Sequence, residues 1–190
     1  MWIYNGKVIK EGRAWQDDKG TQHPSNWHIW SDSEKEAIGM VYRKYQAPPD
    51  SRFYWWTVNP DGTYDVTPRS LEDIPTVDES GIPIIDPITL KQLSSPGLKT
   101  TFIQEVKQQQ GSLLSQTDWA IVRKADTNID VPANIQQWRN EIRLTASIME
   151  DAISQVTTIQ ELENLMVKYT SNSDGTVTKT GILFDWPKEA

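Results

Sequence analysis

Apolar positions come in short extended runs up to about residue 68, and beyond residue 98 they recur three and four apart. The pattern predicts an α+β protein with a small β-rich N-terminal lobe over residues 1–68 carrying one short helix. A Pro-rich extended connector or docking arm is expected over 69–97, a bundle of three to four helices over 98–170, and a terminal turn with a docked tail over 171–190. Trp2 to Tyr4 and Lys7 to Lys10 flank Asn5-Gly6, the dipeptide that best tolerates the two positive φ values of a tight hairpin. His23-Pro24 reads as a turn and Asn26 to Trp30 as an extended segment. Ser31 and Glu34 then form a capping box for a helix from Asp32 toward Lys44, with Gly39 weakening its middle. Phe53 to Val58 and Thr63 to Val66 bracket Asn59-Pro60-Asp61-Gly62, a second hairpin.

From Leu71 to Leu90 the pattern breaks. Pro75, Pro83 and Pro87 remove backbone donors, while Glu72, Asp73, Asp78, Glu79 and Asp86 are unbalanced by any Lys or Arg within the stretch. An extended acidic connector is the first expectation. Ile82, Ile84, Ile85 and Ile88 are too apolar for a purely solvated linker, so an arm that docks on a partner is the second. In the helical half, Phe102, Ile103, Val106, Leu113 and Leu114 share a face, and Thr117 or Asp118 can cap a short helix carrying Trp119, Val122 and Arg123. Pro132 starts the longest helix, whose stripe is Ile135, Trp138, Ile142, Ala146, Met149, Ile153 and Val156. Thr158 and Glu161 cap a last helix with Ile159, Leu162, Leu165, Met166 and Tyr169 on its apolar face; Asp174-Gly175 marks a turn before the tail.

Composition narrows the function classes. The 190 residues carry a net charge of -7, against the basic surface a general nucleic-acid binder needs. No apolar run approaches the roughly 20 residues of a spanning helix, so no membrane insertion is expected, and the N-terminus lacks a signal-peptide pattern. A soluble protein made in the cytoplasm is the expectation. The chain has no cysteine, which excludes disulfides, thiolate metal sites and thiol nucleophiles. Only His23 and His28 offer imidazoles, and a metal site needs three or four converging ligands. Nucleotide-binding glycine loops and nucleophile elbows are missing, so no cofactor, metal or catalytic residue is assigned. Paired carboxylates for glycoside hydrolysis are the third-ranked reading, resting on abundance alone.

Nine tryptophans are present, and six of them, Trp2, Trp15, Trp27, Trp30, Trp55 and Trp56, precede residue 57. Core packing is the first reading, and a carbohydrate-binding module using Trp27, Trp30, Trp55, Trp56 and Tyr64 is the alternative. Consecutive residues of a strand point to opposite faces, so Trp55 and Trp56 cannot both be core if one face of the hairpin is wet. Trp55, Trp56, Trp30, Ile82, Ile84 and Ile85 are the candidate interaction residues. Arg139 and Arg143, four apart on one helix, suit a carboxylate partner. One reading is a solvated or intramolecular ion-pair face. The sharper reading has Trp119 and Trp138 packing two helices while Asp118 and the arginines fix their register.

Leu113-Leu114, Thr117-Asp118-Trp119, Arg123, Val131-Pro132, Trp138-Arg139 and Arg143 occur in an order that helix periodicity alone does not demand. In this order the chain resembles the small tail proteins of tailed bacteriophages, the group containing tail fibre assembly proteins and related virion accessory proteins. The capped Trp30 to Lys35 segment with Gly39 and the terminal Trp186-Pro187 agree in order. The resemblance treats Thr117, Asp118, Trp119, Arg123, Pro132, Trp138, Arg139 and Arg143 as a structural signature. It implies contact with other phage tail or tail-fibre proteins, self-association as a further expectation, and work without catalysis. Residence in the host cytoplasm during assembly, and in the virion tail afterwards, follows from the same resemblance.

Overall fold

In the computed structural model, which describes residues 1–188, Asn5-Gly6 turns β1 (Trp2–Tyr4) antiparallel onto β2 (Lys7–Val8), with both turn residues at positive φ. Two further strands, β3 (Trp15–Gln16) and β4 (Gln22–His23), pair around Asp17, whose carboxylate accepts the N–H groups of Lys19 and Thr21. The Asn26 to Trp30 segment is not extended. Pro24 sits at the N-cap with φ -71°, and Ser25–Ile29 wind into a 3-10 helix that buries Trp27 completely, its indole N–H donating to the Arg13 carbonyl at 3.1 Å. His28 is therefore exposed. His23 is the buried imidazole, stacked on Trp15 at 4.3 Å with Nε2 3.3 Å from Asp17.

Ser31 and Glu34 form the expected capping box, but helix α1 spans only Asp32–Ala37. Gly39, at φ 87°, turns the chain out of the helix in a conformation that a side chain disfavours. Val41 and Tyr42 then become β5 (Val41–Tyr42), antiparallel to β1, giving the order β2-β1-β5. The β-branched and aromatic pair gains a strand partner there that a helix would deny it. The core beneath is Trp2, Trp27 and Met40, with Tyr4, Ile9, Trp15, Trp30 and Ile38 packed against it. The second hairpin, β6 (Tyr54–Val58) with β7 (Tyr64–Pro68), aligns Trp55 with Thr67 and Trp56 with Val66. Its turn is held by Asp61, which accepts from the Thr63 hydroxyl at 2.6 Å and from Arg43 at 2.6 Å.

Two compact units result, Met1–Pro68 and Arg69–Ala190; Glu189 and Ala190, the end of the expected docked tail, lie outside the described residues. The second unit does not begin with an extended connector. Ile74–Pro75 (β8) pairs with Ser94–Ser95 (β9), Val77 bridges Pro83, and Ile85 bridges Gln92. At the centre the bonds close a ring: Thr76 N–H to Leu93 O at 2.7 Å, Leu93 N–H to Ile84 O at 2.8 Å, and Ile84 N–H to Thr76 O at 3.1 Å. Three two-stranded arms thus meet in a pinwheel. The prolines lack the donor a longer ladder would need, so they keep each arm short instead of straightening the segment.

The acidic residues have main-chain work here. Asp78 accepts the N–H groups of Ser80 and Ile82, and Asp86 those of Ile88 and Thr89. Asp73 accepts the Gly97 N–H, and Glu72 pairs with Lys99 at 2.6 Å.

Helix α2 (Leu98–Ser115) starts against that segment, with Leu98 and Lys99 donating to the carbonyls of Ser70 and Leu71. Helix α3 (Asp118–Thr127) follows and ends at Asn128 in the left-handed region, and α4 (Ala133–Gln155) follows with Pro132 at its N-cap. On α4 the expected stripe is buried from Trp138 to Val156, with Ile135 half-buried. It packs on Phe102 and Val106 of α2, while Ile103, Leu113 and Leu114 are half-buried. Lys107 lies 3.4 Å from Glu150 and Arg139 reaches Leu114, so α2 and α4 run antiparallel.

Thr158 and Glu161 cap α5 (Ile159–Leu165), which stops before two residues expected on its face. Met166 bridges Leu183 of the tail, and Tyr169 is exposed in β10 (Lys168–Ser171), paired with β11 (Val177–Thr180) across the Asp174-Gly175 turn.

The glycine that precedes α2 and the one within it should respond oppositely to alanine. A Cβ on Gly97 overlaps the Glu72 carbonyl, so Gly97→Ala should cost about 1–3 kcal/mol. Gly111 has open space and sits mid-helix, so Gly111→Ala should gain about 0.5–1 kcal/mol. Urea titration of both variants checks the pair of signs.

Hydrogen bonds from the Thr63 hydroxyl and N–H, then from Arg43, hold Asp61 well below its ordinary value, at about 2. A depressed carboxyl stabilises the fold above its ordinary titration and loses that contribution as pH falls through the folded value. Acid titration followed by tryptophan fluorescence should therefore show Asp61→Asn removing part of the stability change between about pH 4 and pH 2.

Candidate functional site

Three residues of the ordered segment, Thr117, Asp118 and Arg139, meet where α2 ends and α3 begins. Arg139 projects from α4 into this corner with a side chain only 8% exposed. Its Nη1 donates to the Leu114 carbonyl and to the Thr117 hydroxyl, each at 2.7 Å, and its Nη2 to Asp118 at 2.9 Å. Leu114 lies in the last turn of α2, where its carbonyl also takes the Thr117 N–H at 3.2 Å, and Asp118 is the first residue of α3. One guanidinium thus satisfies a helix C-terminus and pairs with a carboxylate at a helix N-terminus, both favourable for the helix dipoles. Thr117 does not cap α3 as expected. Its hydroxyl donates to Leu114 O at 3.2 Å and accepts from Arg139.

Trp138 is buried, with its indole N–H 3.4 Å from the Pro187 carbonyl, while Trp186 donates to the Gln109 side chain at 2.7 Å. These bonds dock the tail on the helices. Trp119 corrects the sharper expectation: it is 53% exposed, and the Arg123 guanidinium lies over its ring at 5.2 Å. Arg143 is exposed as well, its Nη1 reaching only the Arg139 carbonyl at 3.4 Å among the described residues. The short α3 offers one inward position, filled by Ala120, which leaves Trp119 on the other side. The register therefore rests on Trp138, Arg139 and Asp118.

The tryptophans expected as a sugar platform do not share a face. Trp27 is enclosed because the 3-10 helix turns it inward, and Trp30 is half-buried against the core, edge-on to His23 at 6.0 Å. Trp55 is 63% exposed, whereas Trp56 is half-buried and edge-on to Tyr64 at 5.2 Å. The isoleucines of the pinwheel point outward: Ile82, Ile84 and Ile85 are all exposed, together with Ile88 and Leu90.

Among the described residues no group of three or more His, Asp or Glu could hold a metal ion, and no helix is long and apolar enough to cross a membrane. Compared with known families, curated proteins and solved structures, the chain shows no match. Its function is therefore argued from geometry and chemistry.

The balance of bonds at Arg139 sets distinct costs. Asp118 is more than half exposed, so that ion pair is worth about 1 kcal/mol or less, and most of the loss comes from the two charged hydrogen bonds to Leu114 and Thr117 and from the packing of a nearly buried side chain. Arg139→Ala should lose about 2–4 kcal/mol, Asp118→Asn under about 1, and Arg143→Ala under about 0.5. Chemical denaturation of the three variants measures that order.

Proposed function

We propose that this chain is a bacteriophage tail or tail-fibre associated protein that works through protein–protein contacts, without catalysis. The ordered Leu-Leu, Thr-Asp-Trp, Arg, Val-Pro and Trp-Arg-x-x-x-Arg residues support the setting by resemblance. The observation that carries the mode of action is the pinwheel, which displays Ile82, Ile84, Ile85, Ile88 and Leu90 on a braced main chain. Apolar side chains clustered on such a segment favour association with another protein. On this reading α2 to α5 form a small bundle that supports the segment, and Trp55 on the N-terminal unit offers a further contact. The partner is a tail or tail-fibre protein or a second copy of the chain. The protein acts in the host cytoplasm during assembly, and afterwards it either stays in the virion tail as a lasting component or leaves as a helper.

Co-expression with the fibre and baseplate proteins of a tailed phage, followed by size-exclusion chromatography, should give a defined complex. Ile82→Asp with Ile85→Asp should dissolve it without lowering stability by more than about 0.5 kcal/mol, since both sites are exposed. Failure to bind any of these proteins overturns the reading, and a mass-spectrometric inventory of particles separates component from helper.

A further inference from the structure

A cleft of about 240 Å³ opens between α3 and α4. Gln136, Asn140 and Arg143 line it from α4, at spacings of four and three that put them on one helix face. Lys124 faces them from α3, and Ile121 with Val131 supplies apolar wall. Arg139 forms the back, already committed to Leu114, Thr117 and Asp118. Lys124 is paired with Asp130 at 3.0 Å, a mostly exposed carboxylate. Glu141, the next acid on α4, accepts from Gln137 on the adjoining face. Arg143 has no acidic partner among the described residues, although the chain as a whole carries a net charge of -7.

We infer that this cleft binds a carboxylate carried on an apolar body, as presented by an acidic peptide segment of a partner protein. Arg143 supplies the planar fork that matches a carboxylate, and the amide groups of Gln136 and Asn140 offer further donors along the same face. Ile121 and Val131 take the aliphatic neighbour. The volume lies below the roughly 300–1,000 Å³ of a drug-sized pocket, which suits one or two side chains. A polyphosphate backbone needs several free cations, and here Lys124 is already paired with Asp130, which leaves Arg143 to meet a single carboxylate. The inference rests on the helical unit alone and does not depend on which protein supplies the segment.

The test is an NMR titration of the full chain, reading the side-chain amide signals of Gln136 and Asn140. The probes are a hexapeptide blocked at both ends with one leucine–glutamate step, its glutamine analogue, a peptide without glutamate ending in a free leucine carboxylate, and inorganic phosphate. Saturable shifts with the glutamate peptide, at least about tenfold weaker with its glutamine analogue and with the Arg143→Gln protein, are expected from loss of charged hydrogen bonds. Saturation by the free-carboxylate peptide as well assigns the same chemistry to chain ends. The inference is overturned if neither carboxylate peptide saturates, if phosphate shifts these signals as strongly as the peptides, or if Arg143→Gln binds equally. Arg143 is exposed, so an unchanged thermal midpoint in the variant separates lost binding from lost fold.

Discussion

The corner built by Arg139 is the constraint on which the helical unit depends. A helix must end with unpaired carbonyls and the next must begin with unpaired N–H groups, and here only two residues separate the two ends. A buried guanidinium from a third helix donates to the Leu114 carbonyl at the first end and to the Asp118 carboxylate at the second, so one side chain ties α4 to both α2 and α3. Its cost is desolvation of a charge, offset because three acceptors converge on it, although its Nε is left without a partner. Leucine at this position would leave the Leu114 carbonyl to the Thr117 N–H and hydroxyl alone and would remove the link to α3.

Long periodic segments were legible. The α4 stripe could be named residue by residue because a three-turn or longer helix with one apolar face has few other ways to bury it. Both capping boxes were likewise readable, since the Ser or Thr and Glu spacing carries its own geometry. The reading failed where a short segment had to choose between local propensity and a distant partner. Val41 and Tyr42 sit at helical spacing from Ala37 and Ile38, yet strand pairing with Trp2 and Ile3 claims them. Met166 and Tyr169 leave their helix in the same way, one for Leu183 and the other for a hairpin.

The contact residues were only partly visible. Arg139 and Arg143 looked equivalent in sequence, but a helix rotates residues four apart by about 40° relative to one another, enough to bury one and expose the other at the edge of a packed face. Trp119 and Trp138 differ for a related reason: α3 is short and turns only Ala120 inward, whereas α4 is long and turns Trp138 toward the core. Lys124, Gln136 and Asn140 carried no motif. The spacing from Gln136 to Asn140 to Arg143 was the available signal, and it has meaning only once α3 lies opposite. The acidity of residues 72–86 was misleading in another way, because Asp78 and Asp86 brace turns and Asp73 holds the residue before α2.

The hydrogen-bond ring of the pinwheel bears on solubility. A strand carrying several isoleucines ordinarily risks stacking edge to edge with copies of itself, since its unpaired amides template another strand. At Thr76, Ile84 and Leu93 each residue both donates to and accepts from a neighbour within the ring, leaving no ladder there for an incoming chain to extend. The isoleucines are thus displayed around a centre whose main-chain groups are already used. Another chain meeting the ring at these three residues would find side chains in place of free amides.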